Sequence, residues 1–137
     1  MLTLNPYLSF QGQAREAIEF YQSVLGGDLQ IMTFGDMPDL GTEASENDLV
    51  MHGQLETRDG FTIMASDTPS SMPYVPAAGV SISVSGDDEA VLEQYWDGLS
   101  TGGTIALPFA PAPWGGRFGM FTDRFGISWM LNLNAPA

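Results

Sequence analysis

Apolar and polar positions along the chain alternate with two different periods. Ala14, Ala17, Ile18, Tyr21, Val24 and Leu25 recur at three- and four-residue spacing, which puts them on one face of a helix within "QAREAIEFYQSVLGG". Gly26-Gly27 then supplies a stop that tolerates left-handed backbone. Short alternating stretches flank it: "NPYLSF" before, and "LQIMTFG", "LVMHGQLET" and "FTIMASD" after, the last two forming a hairpin across "RDG". Residues 36–48 hold five acids and no base. They read as an exposed loop, because the D-x-D-x-D-G spacing of a calcium loop is missing.

Three prolines in "TPSSMPYVPAAG" break the pattern at 68–79. The order then recurs. "VSISV" is a strand, and "DDEAVLEQYWDGLSTGG" a helix with an acidic first turn and with Val91, Leu92, Tyr95, Trp96 and Leu99 on one face. "TIALPF", "RFGMFTD" and "ISWMLNL" are three more strands, with "APAPWGG" as a loop. Both helices stop at Gly-Gly, and the last hairpins turn on "RDG" and "RFG". The repeat predicts an α+β fold of two βαβββ modules forming a curved mixed sheet around a cup. Module one spans 3–67, a linker 68–78 and module two 79–133, all in one domain.

Composition narrows the function. The chain has 137 residues, 44% of them hydrophobic, enough for a buried core. No apolar run approaches the roughly 20 residues of a membrane span, and "MLTLNPYLSF" lacks the start of a secretory signal, so a cytoplasmic location is expected. Seventeen acids face four bases, all arginine, for a net charge of −13. That balance excludes the counterion-releasing surface nucleic-acid binding needs, and disfavours anionic membranes. Without lysine there is no Schiff-base chemistry, and without cysteine no disulfide or thiolate metal site.

The repeated module, with "NPYLSFQGQAREAIEFYQSVLGGDLQIMTFGDMP" and "WGGRFGMFTDRFGISWMLN" in order, resembles the PhnB-like branch of the vicinal oxygen chelate superfamily. That superfamily includes glyoxalase I, extradiol dioxygenases and bleomycin-resistance proteins, and the branch is often labelled demethylubiquinone methyltransferase-like. The resemblance implies a homodimer and, in catalytic members, a divalent metal held by His and Glu from the first and last strand of each module. Those positions fall here on Asn5, Met64, Gly79 (or Val80 with a one-residue slip) and Met130. Two thioethers and an amide offer a hard or borderline cation nothing to offset its lost water shell. We therefore expect no metal and no cofactor. Methyl transfer finds no support either, since neither "QGQAREA" nor "LGGDLQ" makes the glycine-rich turn that S-adenosylmethionine sites usually need.

His52 is the only histidine and the candidate catalytic base. The bland alternative ties it to a neighbour such as Asp67. Its facing depends on the hairpin: a two- or four-residue loop puts Gly53 and Leu55 on the face of Met64, and a three-residue loop or a bulge puts His52 there. Tyr7, Met64, Phe118, Met120 and Met130 are expected to line an apolar cavity, with Asn5 and Ser66 in phase beside them. Trp114 and Arg117 at its mouth either clamp a planar or anionic ligand or, for Trp114, pack at a dimer contact. Trp129 is expected in the core. The first reading is thus a small-molecule binder working without the superfamily's metal. The alternative is a metal-dependent lyase, isomerase or dioxygenase with ligands around His52, Glu56 and Asp67, and a third is a scaffold with a filled cup.

Overall fold

The computed structural model describes residues 1–37 and 42–136. The expected exposed loop at 36–48 lies partly outside them. The chain divides into two compact units, Met1–Pro76 and Ala77–Ala137.

The first unit runs β1 (Tyr7–Phe10), α1 (Ala14–Leu25), β2 (Asp28–Thr33), β3 (Val50–Glu56) and β4 (Thr62–Asp67). The second runs β5 (Ser81–Gly86), α2 (Glu89–Ser100), β6 (Thr104–Pro111), β7 (Arg117–Thr122) and β8 (Ser128–Leu133). Each builds a four-stranded mixed sheet, in order β1-β4-β3-β2 and β5-β8-β7-β6. The first and last strands are parallel and the other pairs antiparallel. The α+β, two-module expectation holds, and the two sheets share one topology.

One face of each sheet lies under its helix. Ala14, Ala17, Ile18, Tyr21 and Leu25 are all buried against Leu8, Phe10, Val50, Leu55, Ile63 and Ala65. In the second unit, Leu92, Tyr95 and Leu99 are buried along with Phe121, Trp129 and Leu131. Trp96 stacks on Phe109 (5.5 Å) and meets Phe121 edge-on (5.0 Å), filling the space where Gly119 has no side chain. Trp129 is 1% exposed, in the core as expected.

The repeated Arg-x-Gly turns close their hairpins the same way. Thr57 N–H donates to Phe61 O (2.8 Å) and Asp123 N–H to Ile127 O (2.8 Å), leaving three-residue loops whose last residues, Gly60 and Gly126, sit at φ +88 and +87. Each turn also clips the end of its helix. Arg58 donates its main-chain N–H to Leu25 O with its guanidinium beside Gly26, and the Arg124 guanidinium donates twice to Thr101 O, placing cations where the helix dipole is negative. The second glycine of the first Gly-Gly pair allows this approach: a Cβ on Gly27 would lie 2.0 Å from Glu56 O.

Two boundaries differ from the expected ones. β6 continues past "TIALPF" through Pro111, because it is an edge strand with bulges, where a missing N–H breaks no ladder bond. The acidic stretch is not merely solvated: Phe34–Asp36 and Ala44–Glu46 form short 3-10 turns, and Glu46 accepts from Ser70 N–H (2.8 Å) and Ser70 Oγ (2.9 Å).

Candidate functional site

Past the irregular start of β3, strand alternation sends Gly53 and Leu55 of β3 and the odd residues of β4 toward α1, and the even ones to the helix-free face. The three-residue loop sets the register: Gln54 pairs with Met64 and Glu56 with Thr62. Of the two hairpin geometries, the structure therefore takes the one that puts His52 on Met64's face. Gly53 and Leu55 lie beneath α1 instead; Leu55 is fully buried, and a Cβ on Gly53 would sit 3.2 Å from Ile18 Cδ1. At the start of β3 the register shifts, with Val50 opposite Thr33 and His52 opposite Met32. This bulge leaves Met51 unpaired and lets the buried Val50 and the outward His52 keep their separate sides.

On the helix-free face of the first unit, four polar side chains make a chain. Tyr7 Oη lies 3.0 Å from His52 Nδ1, His52 Nε2 lies 3.3 Å from Gln54 Oε1, and Gln54 Nε2 lies 3.3 Å from Glu56 Oε1. The Tyr7 and His52 rings are 5.6 Å apart. Met64 pairs with Tyr7, and Ser66 with Ser9, on the same face. Next to it, a groove of about 280 Å³ runs between Ser9, Ser66, Phe34, Met51, Pro69 and Met72.

His52 is not tied to Asp67. Asp67 is 3% exposed and, although it borders the groove, stands out of phase with Met64 and Ser66 along β4. Its Oδ1 accepts from Gly12 N–H (2.8 Å) and Ala14 N–H (3.0 Å), and its Oδ2 from Val50 N–H (2.9 Å). The set His52, Glu56 and Asp67 is thus split between two faces. Among the described residues, no group of three or more His, Cys, Asp or Glu is placed to hold a metal ion. The inherited positions fit one no better. Asn5 precedes β1 with its amide on Thr3 (3.4 Å), Gly79 is a bend before β5, and Met64 and Met130 are thioethers. That donor set does not suit a divalent cation.

In the second unit, Phe118 and Met120 face Asn132 and Met130 across the β7–β8 pair, with Ser83 of β5 beside Met130. Trp114 sits in a third hairpin loop, 58% exposed, with its ring edge-on to Phe118 at 5.8 Å. Arg117, offered by the sequence as half of a clamp with Trp114, makes its own contacts elsewhere. Alternation turns Arg117 to the helix side, where it donates to Glu93 (2.5 Å) and Phe109 O (2.9 Å), lies 3.8 Å from Glu89, and covers the Phe109 ring at 4.2 Å. These contacts use its charge to hold α2 against β6. Sequence reasoning missed Gln54 and the groove residues Phe34, Met51 and Met72. The even-numbered run His52, Gln54, Glu56 in one strand was the available signal for the first; the bulge that frees Met51 had none.

This architecture matches that of glyoxalase/bleomycin-resistance proteins. A glyoxylase/bleomycin resistance protein/dioxygenase domain from Frankia sp. EAN1pec is similar over 100% of this chain and 94% of its own, with a TM-score of 0.69 at 13% identity. A putative 3-demethylubiquinone-9 3-methyltransferase, PhnB protein, from Bacillus cereus is similar over 97% and 100%, with a TM-score of 0.73 at 24% identity. Protein PA1353 from Pseudomonas aeruginosa is 40% identical, with a TM-score of 0.87 over 99% of this chain and 100% of that one. The family model for 3-demethylubiquinone-9 3-methyltransferase matches residues 3–132, and the chain belongs to that PhnB-like family.

The methyl donor such a description suggests does not fit the residues present. Both sheets are mixed rather than doubly wound. The first amide of α1, Ala14 N–H, where an anionic group of a nucleotide or amino acid would dock, and Gly12 N–H in the turn before it already hold the protein's own Asp67 carboxylate. Among the described residues, no helix is long and apolar enough to cross a membrane.

Proposed function

We propose that this protein binds a small organic molecule without the superfamily's metal, using the helix-free face of the first unit around Tyr7, His52, Met64 and Ser66. The observation that carries the reading is the Tyr7–His52–Gln54–Glu56 chain: ordered polar groups beside methionine, on a surface whose inherited ligand positions bear no charge. Apolar walls with a few placed polar groups are what small-molecule sites offer, and methionine adapts to more than one shape. Phe118, Met120 and Met130, with Trp114 at its hairpin tip, give the second unit a similar apolar face. A homodimer belongs to the same reading, supported by the exposed Ile105, Leu107 and Trp114 of one unit. So does a cytoplasmic location. His52 is its candidate base.

Ligand-observed NMR with a library of neutral and charged aromatic fragments tests the binding. Hits displaced or weakened by Tyr7→Phe and His52→Ala are expected. A library with no hit sensitive to either change would sink the reading, and a monomer in sedimentation equilibrium would remove the dimer.

A further inference from the structure

The hydrogen-bond polarity of the site follows from one group. Glu56 is a carboxylate and only accepts, so the Gln54 amide must present Nε2–H to it, at 3.3 Å. The amide oxygen is then left facing His52 Nε2, at 3.3 Å. An oxygen there requires that nitrogen to carry a proton, so whenever the ring holds a single proton its lone pair is on Nδ1. Against that lone pair Tyr7 Oη, 3.0 Å away, is the donor. Its one proton is spent inward. What the half-exposed phenol presents outward is a lone pair.

The charges around it point the same way. Glu56 and Asp28 pair across β2 and β3 on this face. Neither arginine of the first unit stands on it: Arg15 belongs to α1 and Arg58 to the hairpin loop, against Gly26. The nearest side chains of β4 and β2, Met64, Ser66 and Met32, carry no charge.

We infer that the group this site recognises is an N–H or O–H donor on an apolar body, neutral or cationic, such as an amine, and not a carbonyl or an anion. The inference rests on the binding reading above and sets the ligand class. Rigid acceptor geometry discriminates strongly, because a ligand with a second acceptor would leave two lone pairs facing each other.

The chain's single histidine makes the test direct. The two ring nitrogens of His52 in ¹⁵N NMR at neutral pH report the tautomer without any ligand. The proton is expected on Nε2, and the Glu56→Gln variant, whose amide serves either polarity, is expected to mix the tautomers. Two probes of similar size then read the polarity: benzylamine, a donor-only cation at this pH, and acetophenone, an acceptor only. Benzylamine should bind about tenfold tighter, and Tyr7→Phe should weaken benzylamine more than acetophenone, as expected for the loss of one charge-assisted hydrogen bond. A proton on Nδ1, or a preference for acetophenone, overturns the inference. If neither probe binds while the tautomer is as expected, the binding reading falls and takes the ligand class with it.

Discussion

Removing the carboxylate of Asp67 tests how the first unit is tied together. Its two oxygens take three main-chain N–H groups, from the turn before α1, the first residue of α1 and the first residue of β3. Asp67→Ala leaves Ala14 N–H and Val50 N–H buried without partners and Gly12 N–H partly so. At about 1–3 kcal/mol for each of the two buried donors, the loss comes to roughly 2–6 kcal/mol. Against a typical total of about 5–15 kcal/mol, that is enough to unfold a marginal domain. Asp67→Asn separates the contributions. Its oxygen can keep Gly12 and Ala14, but its NH₂ then faces Val50 N–H, donor against donor, so about 1–3 kcal/mol is lost. Urea unfolding followed by far-UV circular dichroism gives the totals. Hydrogen exchange should place the loss at Ala14 and Val50, in the first unit. All three tryptophans lie in the second, so their fluorescence is a control for a change confined to the first. An Asp67→Ala cost under about 1 kcal/mol, or an Asn variant as damaged as Ala, refutes the argument.

Other outcomes follow from the same contacts. Gly27→Ala puts a Cβ 2.0 Å from Glu56 O at φ +102, and should cost at least about 2 kcal/mol in thermal unfolding, with strain at such a position as the cause; an unchanged Tm would show that α1 can lift from the hairpin. Asp36 accepts from Thr33 N–H and Oγ1, which hold its carboxyl below the ordinary 3.8. Because the folded value is depressed, the cap contributes fully above pH 3.8 and is lost as pH falls through the lower folded value; a carboxyl ¹³C titration with a midpoint at or above 3.8 contradicts it. Zinc, nickel, manganese and iron(II) should leave Tm unmoved, since a specific site at a hundred times its Kd would add about 2.7 kcal/mol; a rise abolished in His52→Ala would restore the metal-dependent alternative. Arg117→Ala removes an ion pair, a carbonyl bond and a cation–π contact, and should cost about 1–2 kcal/mol, with increased exchange at the α2–β6 contact as the readout.

The element types, the duplication and the apolar faces of both helices are legible in the amino-acid order alone. Those follow from local periodicity: Ala14, Ile18, Tyr21 and Leu25 can share a face only on a helix, and 3.6-residue spacing is visible without any partner. That order also shows that the inherited ligand positions carry Asn5, Met64, Gly79 and Met130, which is a statement about residue types. It did not determine the facing of His52. Because side chains alternate with period two, one residue more or less in the "RDG" loop moves the whole strand to the other side, and only the closed hairpin counts that residue. The separation of Trp114 from Arg117, and of Asp67 from His52, was decided in the same way: neighbours in sequence or across a hairpin end on opposite faces, where each meets groups distant in the chain. Tertiary structure alone brought Tyr7 across to His52, because the parallel β1–β4 pairing joins residues far apart in the sequence.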